Sequence, residues 1–124
     1  MMTRYGIAIG VVLALLAGPL LAQKLTEQFI PIGQSPGLSG AHTKIGNIDS
    51  FSVQEETMTM SNASGSYSVQ VAEDTHIWLD RSKLRATNEM GSLSDLQAGR
   101  RIEVKYKGND PASAAEWIKV EVTE

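Results

Sequence analysis

The feature that most constrains the fold is a strict alternation of apolar and polar residues in the second half of the chain. Residues 66–71 read SYSVQV, and the same alternation recurs in residues 75–80, 100–107 and 115–122. Successive side chains of a β-strand point to opposite faces, so this period of two predicts strands with one buried face. Two further segments predict two more strands. Residues 45–53 are rich in β-branched and aromatic residues, and residues 57–61 alternate Thr or Ser with Met.

The order of these segments predicts a barrel. Residues 66–71 and 75–80 keep the same odd-even alternation across Glu73 and Asp74, so we join them as one long, bent strand. Ser92 can cap a short helix that Gly99 ends. Three strands, a short helix and two strands are the element order of an OB-fold, a five-stranded Greek-key barrel. We therefore expect an all-β, OB-like barrel over residues 44–124. A small open sandwich or an SH3-like barrel is the alternative, which six separate strands would favour.

The N-terminus has the three parts of a secretory signal peptide. Arg4 precedes an apolar run, the breaker pair Gly18 and Pro19 follows it, and Ala22 supplies a small residue. We expect cleavage after Ala22 and export of the remainder to a periplasm. The alternative is an uncleaved anchor, because a transmembrane helix needs roughly 17–25 apolar residues. In that case the membrane would be contacted only through this N-terminus.

Charge and cysteine content limit the partners. The chain carries 11 basic and 14 acidic residues, and loss of residues 1–22 changes the balance from −3 to 10 − 14 = −4. Because nucleic-acid binding needs a basic excess, we expect no nucleic-acid partner. The absence of cysteine excludes a disulfide framework and thiolate metal sites.

Residues 23–43 predict an extended arm ahead of the barrel. Two prolines and three glycines in this segment favour turns and extended chain, at positions 31, 33, 36, 37 and 40. A free linker would contain small and polar residues, yet Phe29, Ile30, Ile32 and Leu38 are large and apolar. We expect these side chains to pack either over outward tryptophans of the same barrel or against a neighbouring molecule.

The β-patterned body resembles small exported bacterial β-barrel domains of unknown function with an OB-like fold. The resemblance covers roughly residues 44–123 and implies fold and export, without any catalytic residue. It rests on these positions: Gly46 and Ile48; Thr57 and Thr59; Thr75 and Ile77; Leu93, Asp95, Leu96 and Gly99; Val104 and Tyr106; Ala115, Ile118 and Val120.

Catalytic and metal-binding patterns are weak. Residues 33–37 match Gly-x-Ser-x-Gly, but a nucleophile elbow lies between a strand and a helix, and neither is predicted there. Pro36 also lacks the N–H that an oxyanion hole would use directly after Ser35. His42 and His76 have no metal-ligand spacing. We expect no enzyme activity, no metal and no cofactor.

The predicted binding face lies on the outside of the third strand. Ser68, Gln70, His76 and Trp78 share that face, and Trp117 points outward from the last strand. Exposed tryptophan often marks a binding surface. Residues 100–107 place Arg101, Lys105 and Lys107 with Glu103 on one face, which we interpret as a mixed-charge surface facing solvent. The alternative for the tryptophans is that the arm or the helix covers them.

These observations predict a non-enzymatic periplasmic module that binds or assembles with a protein or small ligand. The alternative is a structural or stress-related envelope protein without a discrete ligand. A small hydrolase or metalloprotein is the least favoured interpretation. The ligand and the oligomeric state do not follow from the sequence.

Overall fold

Strands dominate the regular structure of residues 26–124, the part of the chain that a computed structural model describes. The predicted signal peptide, residues 1–22 with cleavage after Ala22, lies outside the described residues, as do residues 23–25 of the predicted arm. No helix among the described residues is long and apolar enough to cross a membrane. The seven strands are Lys44–Ser52 (β1), Thr57–Asn62 (β2), Gly65–Gln70 (β3), His76–Asp80 (β4), Glu89–Met90 (β5), Arg101–Tyr106 (β6) and Ala115–Glu121 (β7).

All seven strands belong to one sheet in the order β3-β2-β1-β6-β7-β4-β5. Neighbouring strands are antiparallel except β4 and β7, which are parallel. The chain is therefore all-β, as predicted. Among the described residues no hydrogen-bonded ladder joins the two end strands, so the sheet is not a closed barrel.

The number of strands differs from the five that were predicted. The joined third strand is two strands with different partners, because β3 pairs with β2 while β4 pairs with β7 and β5. A turn separates them: the N–H of Thr75 donates to the carbonyl of Ala72, and the Thr75 hydroxyl donates to the carbonyl of Ala115. The two-residue strand β5 is too short for a periodicity to reveal it.

The predicted short helix is present as a 3-10 turn over Leu93–Asp95. The Asp95 carboxylate accepts a hydrogen bond from the N–H of Ser92, which satisfies a donor at the start of the turn. Two more 3-10 turns, Ser82–Leu84 and Lys107–Asn109, follow β4 and β6. These turns connect strands and contain no buried residue.

The hydrophobic core lies on the inner face of the sheet and follows the predicted alternation. Burial raises the pKa of the Tyr106 phenol, which belongs to this core, above its ordinary value of 10.0. The buried members of the hydrophobic core come from six of the strands, all except β5, and from the segments between them. They are Ile48, Met58, Met60, Val69, Val71, Ile77, Leu96, Ile102, Val104, Tyr106, Ala115, Ile118 and Val120.

Gly46 marks the closest approach between β1 and β2. A Cβ at this position would overlap the backbone carbonyl of Ser61 and would touch Met60. The obstruction is backbone rather than the end of a flexible side chain, so a larger residue must displace a strand.

We therefore expect Gly46→Ala to lower the free energy of unfolding by about 1–3 kcal/mol, the range for overpacked interiors. Urea denaturation measures the change. Ser66→Ala, at an exposed position in β3, is the control and should leave the midpoint unchanged. Equal stability of Gly46→Ala and the unsubstituted protein would contradict the close approach.

Candidate functional site

The candidate site is the outer face of β4, β6 and β7, opposite the hydrophobic core. Parallel register places His76 beside Trp117 and Trp78 beside Lys119. Antiparallel register places Glu103 beside Lys119. Since paired residues point to the same side of a sheet, aromatic and charged side chains alternate on this face.

The tryptophans lie on the outer face as predicted, but they are not exposed. Trp78 retains 7% of its accessible surface and Trp117 retains 3%. Their ring centroids are 5.7 Å apart, and the ring of His76 stacks on Trp78 at 5.6 Å with an interplanar angle of 13°. Both tryptophans are outside the main core cluster, so they form a second buried layer.

Residues 26–43, which we call the arm, cover much of this face. The arm consists of successive turns, and its apolar side chain Ile32 is buried. The N–H of Ile32 donates to Asp80 Oδ2 at 2.9 Å, and the N–H of Gly33 donates to Glu103 Oε1 at 3.0 Å. The hydroxyl of Thr43 donates to Glu103 Oε2 at 2.7 Å. Carboxylates on the sheet therefore satisfy backbone donors of the arm.

Lys119 is the centre of the contact between arm and sheet. Its side chain is fully buried, and Nζ donates to Glu27 Oε1 at 2.8 Å, to the carbonyl of Ile30 at 2.9 Å and to Ser35 Oγ at 3.2 Å. The ammonium group also lies 4.7 Å from the ring centroid of Trp117. An ammonium group has three donors, and all of them have acceptors in the arm.

The prediction of a solvent-facing charged surface was wrong for Glu103, which is fully buried. Lys119 and Glu121, placed outward by the alternation, are buried as well. The arm removes Glu103 and Lys119 from water, while Glu121 pairs with Lys83 and Arg101 at 2.5 and 3.8 Å. The sequence contained a signal for this burial. Two neighbouring strands carry opposite charges at outward positions, and the arm is rich in apolar residues that need a surface to cover.

Ser35 of the Gly-x-Ser-x-Gly match belongs to the same buried network. Its hydroxyl donates to the Glu27 carboxylate, and its oxygen accepts from Lys119. The side chain is buried and its acceptors and donors are paired within the protein. In this arrangement Lys119 is tied to a carboxylate and serves as a structural cation.

The remaining members of the predicted face are separated from the aromatic stack. Ser68 and Gln70 are exposed on β3, opposite Thr59 and Thr57 of β2. β3 is an end strand of the sheet and pairs with β2, whereas His76 lies on β4, which pairs with β7 and β5. The structure thus brings together His76, Trp78 and Trp117, of which only His76 is exposed.

An exposed apolar side chain lies beside the stack. Met90 of β5 lies directly across from Trp78 in the register and is 67% exposed. The arm residue Phe29 is 54% exposed. It follows Gln28, whose carbonyl accepts a hydrogen bond from Asn88, two residues before Met90. Asn88 also accepts a hydrogen bond from the N–H of Arg81, so this contact lies at the Asp80 end of β4, away from His76. We call His76 and Met90 the open surface.

The structure groups no set of three or more His, Asp or Glu side chains that could hold a metal within residues 26–124. A concavity of about 470 Å³ lies elsewhere, around Asn47, Arg100 and Glu124. Comparison of the chain with protein-family models, with curated proteins and with solved structures finds no match. The chemistry of the site must therefore be argued from its own residues.

Removal of the Lys119 charge should destabilise the protein strongly. In Lys119→Met, Glu27 stays buried without its cationic partner, and breaking a buried pair on one side costs about 3–5 kcal/mol. Thermal and urea unfolding measure the loss. The double variant Glu27→Gln with Lys119→Met should lose less than the two single variants together, because no uncompensated charge remains.

The matched control for this prediction is Lys107→Met. Lys107 contacts Asp74 at 2.7 Å, but both side chains are largely exposed. Exposed ion pairs contribute little to stability, so this variant should unfold at nearly the same urea concentration as the unsubstituted protein. Similar losses for Lys107→Met and Lys119→Met would show that the buried network has no special role.

Asp80 makes the attachment of the arm sensitive to acid. Burial by itself raises the pKa of this carboxyl, but hydrogen bonds from Ser82 and from the N–H of Ile32, with the charge of Lys119, bring the pKa below its ordinary value of 3.8. A lowered folded-state pKa contributes stability that is complete above pH 3.8. This contribution disappears as the pH falls through the lower folded-state pKa.

Asp80→Asn should therefore be less stable than the unsubstituted protein at pH 7, and the difference should shrink below about pH 4. Urea unfolding at pH 7, 5, 4 and 3 tests this. Asp110→Asn, at an exposed position in the turn after β6, is the control. A stability difference that is constant across these pH values would contradict the assignment.

Proposed function

We propose that the chain is an exported, non-enzymatic β-barrel module of the OB type that binds a partner protein or small ligand in a periplasm. Export rests on the signal-peptide pattern of residues 1–22. The resemblance to small exported bacterial OB-like domains, carried by residues 44–123, is part of the same proposal.

The connection between β3 and β4 supports the OB-like barrel. The two strands are five intervals apart in the sheet, about 24 Å at a spacing of about 4.8 Å. Only residues 71–75 join them, and six steps of about 3.4 Å reach about 20 Å. The sheet must therefore curl so that β3 and β4 approach. If they are counted as one bent strand and the short edge strand β5 is left out, the order corresponds to a partly open five-stranded Greek-key barrel.

The observation that carries the binding proposal is the open surface at the end of a rigid aromatic stack. His76 is exposed, but its ring is supported by Trp78 and, through it, by Trp117. Met90, directly across from Trp78 in the register, adds exposed apolar area. An aromatic side chain that is already held in place loses little entropy when a partner contacts it. The open surface is therefore our proposed binding site.

Because Trp78 is buried, its substitution affects stability as well as any binding. Trp78→Ala creates a cavity in the second buried layer, so we expect a loss of about 3–5 kcal/mol of stability. It is therefore a poor probe of binding. His76→Ala and Met90→Ser alter exposed side chains and should leave the melting temperature nearly unchanged.

We expect His76→Ala and Met90→Ser to reduce the amount of co-purified partner about tenfold, the effect of a contact contributing about 1.4 kcal/mol. Quantitative mass spectrometry after purification from periplasm is the measurement. Val53→Ser is the control, because Val53 is equally exposed at 69% but follows β1, away from this surface. Recovery of the same proteins in the same amounts from all variants would contradict the proposal.

The second candidate function is a structural envelope protein without a discrete ligand. The specific observation in its favour is that both tryptophans are already covered within the chain. This alternative predicts that the purified protein is stable and carries no stoichiometric partner. The same co-purification experiment therefore separates the two candidates.

A further inference from the structure

The attachment of the arm has the character of peptide recognition. Between Glu27 and Thr43, every backbone–backbone hydrogen bond that the structure describes is local to the arm, and none joins it to the sheet. The hydrogen bonds that join arm and sheet all involve side chains of the sheet or of the segment before β5: Asp80, Asn88, Glu103 and Lys119. The arm is thus a locally folded segment held by a set of side chains.

These side chains recognise both the backbone and the sequence of the arm. Asp80 and Glu103 accept the consecutive N–H groups of Ile32 and Gly33. Lys119 binds a carboxylate, a carbonyl and a hydroxyl at three positions of the arm, Glu27, Ile30 and Ser35. The buried Ile32 supplies the apolar anchor. A peptide without the acidic side chain would leave the buried Lys119 without its carboxylate partner, and a peptide without the anchor would bury less apolar surface. The face is therefore selective.

The segment that connects the anchored part of the arm to β1 is a series of local turns. The turns of the arm close on themselves, for example through the N–H of Leu38 and the carbonyl of Ser35. Gly37 and Gly40 have positive φ angles of 75° and 80° and are exposed, and His42 is exposed as well. The hydrogen bonds that the structure describes for residues 36–42 are all local, and Thr43 joins this segment to the sheet through Glu103. We take residues 36–42 as the hinge. The same hydrogen bonds form whichever copy of the chain provides residues 27–35.

We propose that the outer face of β4, β6 and β7 is a peptide-binding site that takes the arm of a second copy of this chain, so that two chains exchange arms. Exchange of an identical element between copies creates a symmetric dimer without any new type of contact. The second copy is the partner that fits, because its arm carries the glutamate, the isoleucine anchor and the serine in the required order. The inference does not depend on the open surface.

A charge exchange between two variants tests this proposal. In Glu27→Lys the arm is repelled by the Lys119 of its own chain, and in Lys119→Glu the Glu27 of the arm is repelled by its own sheet. When the two variants are mixed, each arm finds a complementary sheet on the other copy. We expect each variant alone to elute as a monomer and the equimolar mixture to elute at twice that mass in gel filtration.

The double variant, with Glu27→Lys and Lys119→Glu in one chain, is the matched control and should elute at the same mass as the unsubstituted protein at the same concentration. Circular dichroism of each single variant shows whether the sheet is retained. The proposal is wrong if both variants retain the sheet and the mixture stays monomeric at about 100 µM, a concentration far above the dissociation constant expected for a stable dimer.

Cross-linking keeps the proposal testable if a charge variant does not fold. The chain has no cysteine, so single cysteines can be introduced cleanly. Copies with Gln28→Cys are mixed with copies carrying Thr87→Cys, which is exposed and adjoins the Asn88 contact of the arm. Exchange predicts at least tenfold more cross-linked heterodimer than a mixture with Ser64→Cys, in the turn between β2 and β3. Equal amounts in both mixtures would overturn the inference.

Discussion

The buried ammonium group of Lys119 is the interaction on which the outer face depends. Removing a charge from water is costly, and the cost is offset only if the charge is paired and all its hydrogen bonds are made. Here the arm supplies all three acceptors, including the carboxylate of Glu27. If the arm leaves the sheet, Lys119 loses these acceptors, so attachment of the arm and burial of this charge are coupled.

This coupling explains why the protein has two buried layers of different character. The inner layer is apolar and holds the sheet together through non-directional burial. The outer layer combines two tryptophans with the buried charges of Glu103 and Lys119, and its directional hydrogen bonds fix the arrangement of the arm. The first layer stabilises the fold, whereas the second specifies what lies on it. A surface with directional requirements of this kind is suited to recognition, which is the basis of both the binding and the exchange proposals.

The position of the open surface follows from the same arrangement. The arm is tied to Asp80, Glu103 and Lys119, and it leaves His76 at the other end of β4 exposed. His76 therefore projects from a layer that is otherwise closed. This gives one exposed ring an aromatic support, while Ser68 and Gln70 lie on β3, outside the stack of His76, Trp78 and Trp117.

Alternation in the sequence was sufficient to predict the strands that carry the core. The apolar residues of β3, β4, β6 and β7, such as Val69, Ile77, Val104 and Ile118, are buried as their period of two predicted. The separation of β3 from β4 did not follow, because both obey the same alternation and only their hydrogen-bond partners differ. The two-residue strand β5 depends on pairing with β4 and has no periodicity of its own.

The sequence by itself determined the all-β class, the inward residues and the outward direction of Trp78 and Trp117. Only the tertiary structure decided that these tryptophans, Glu103 and Lys119 are covered. The physical reason is that alternation specifies the face of a sheet, while burial of that face depends on what packs over it. Here the covering segment precedes β7 by more than seventy residues, and its hydrogen bonds with Lys119 exist only when the folded chain brings the segment onto β7.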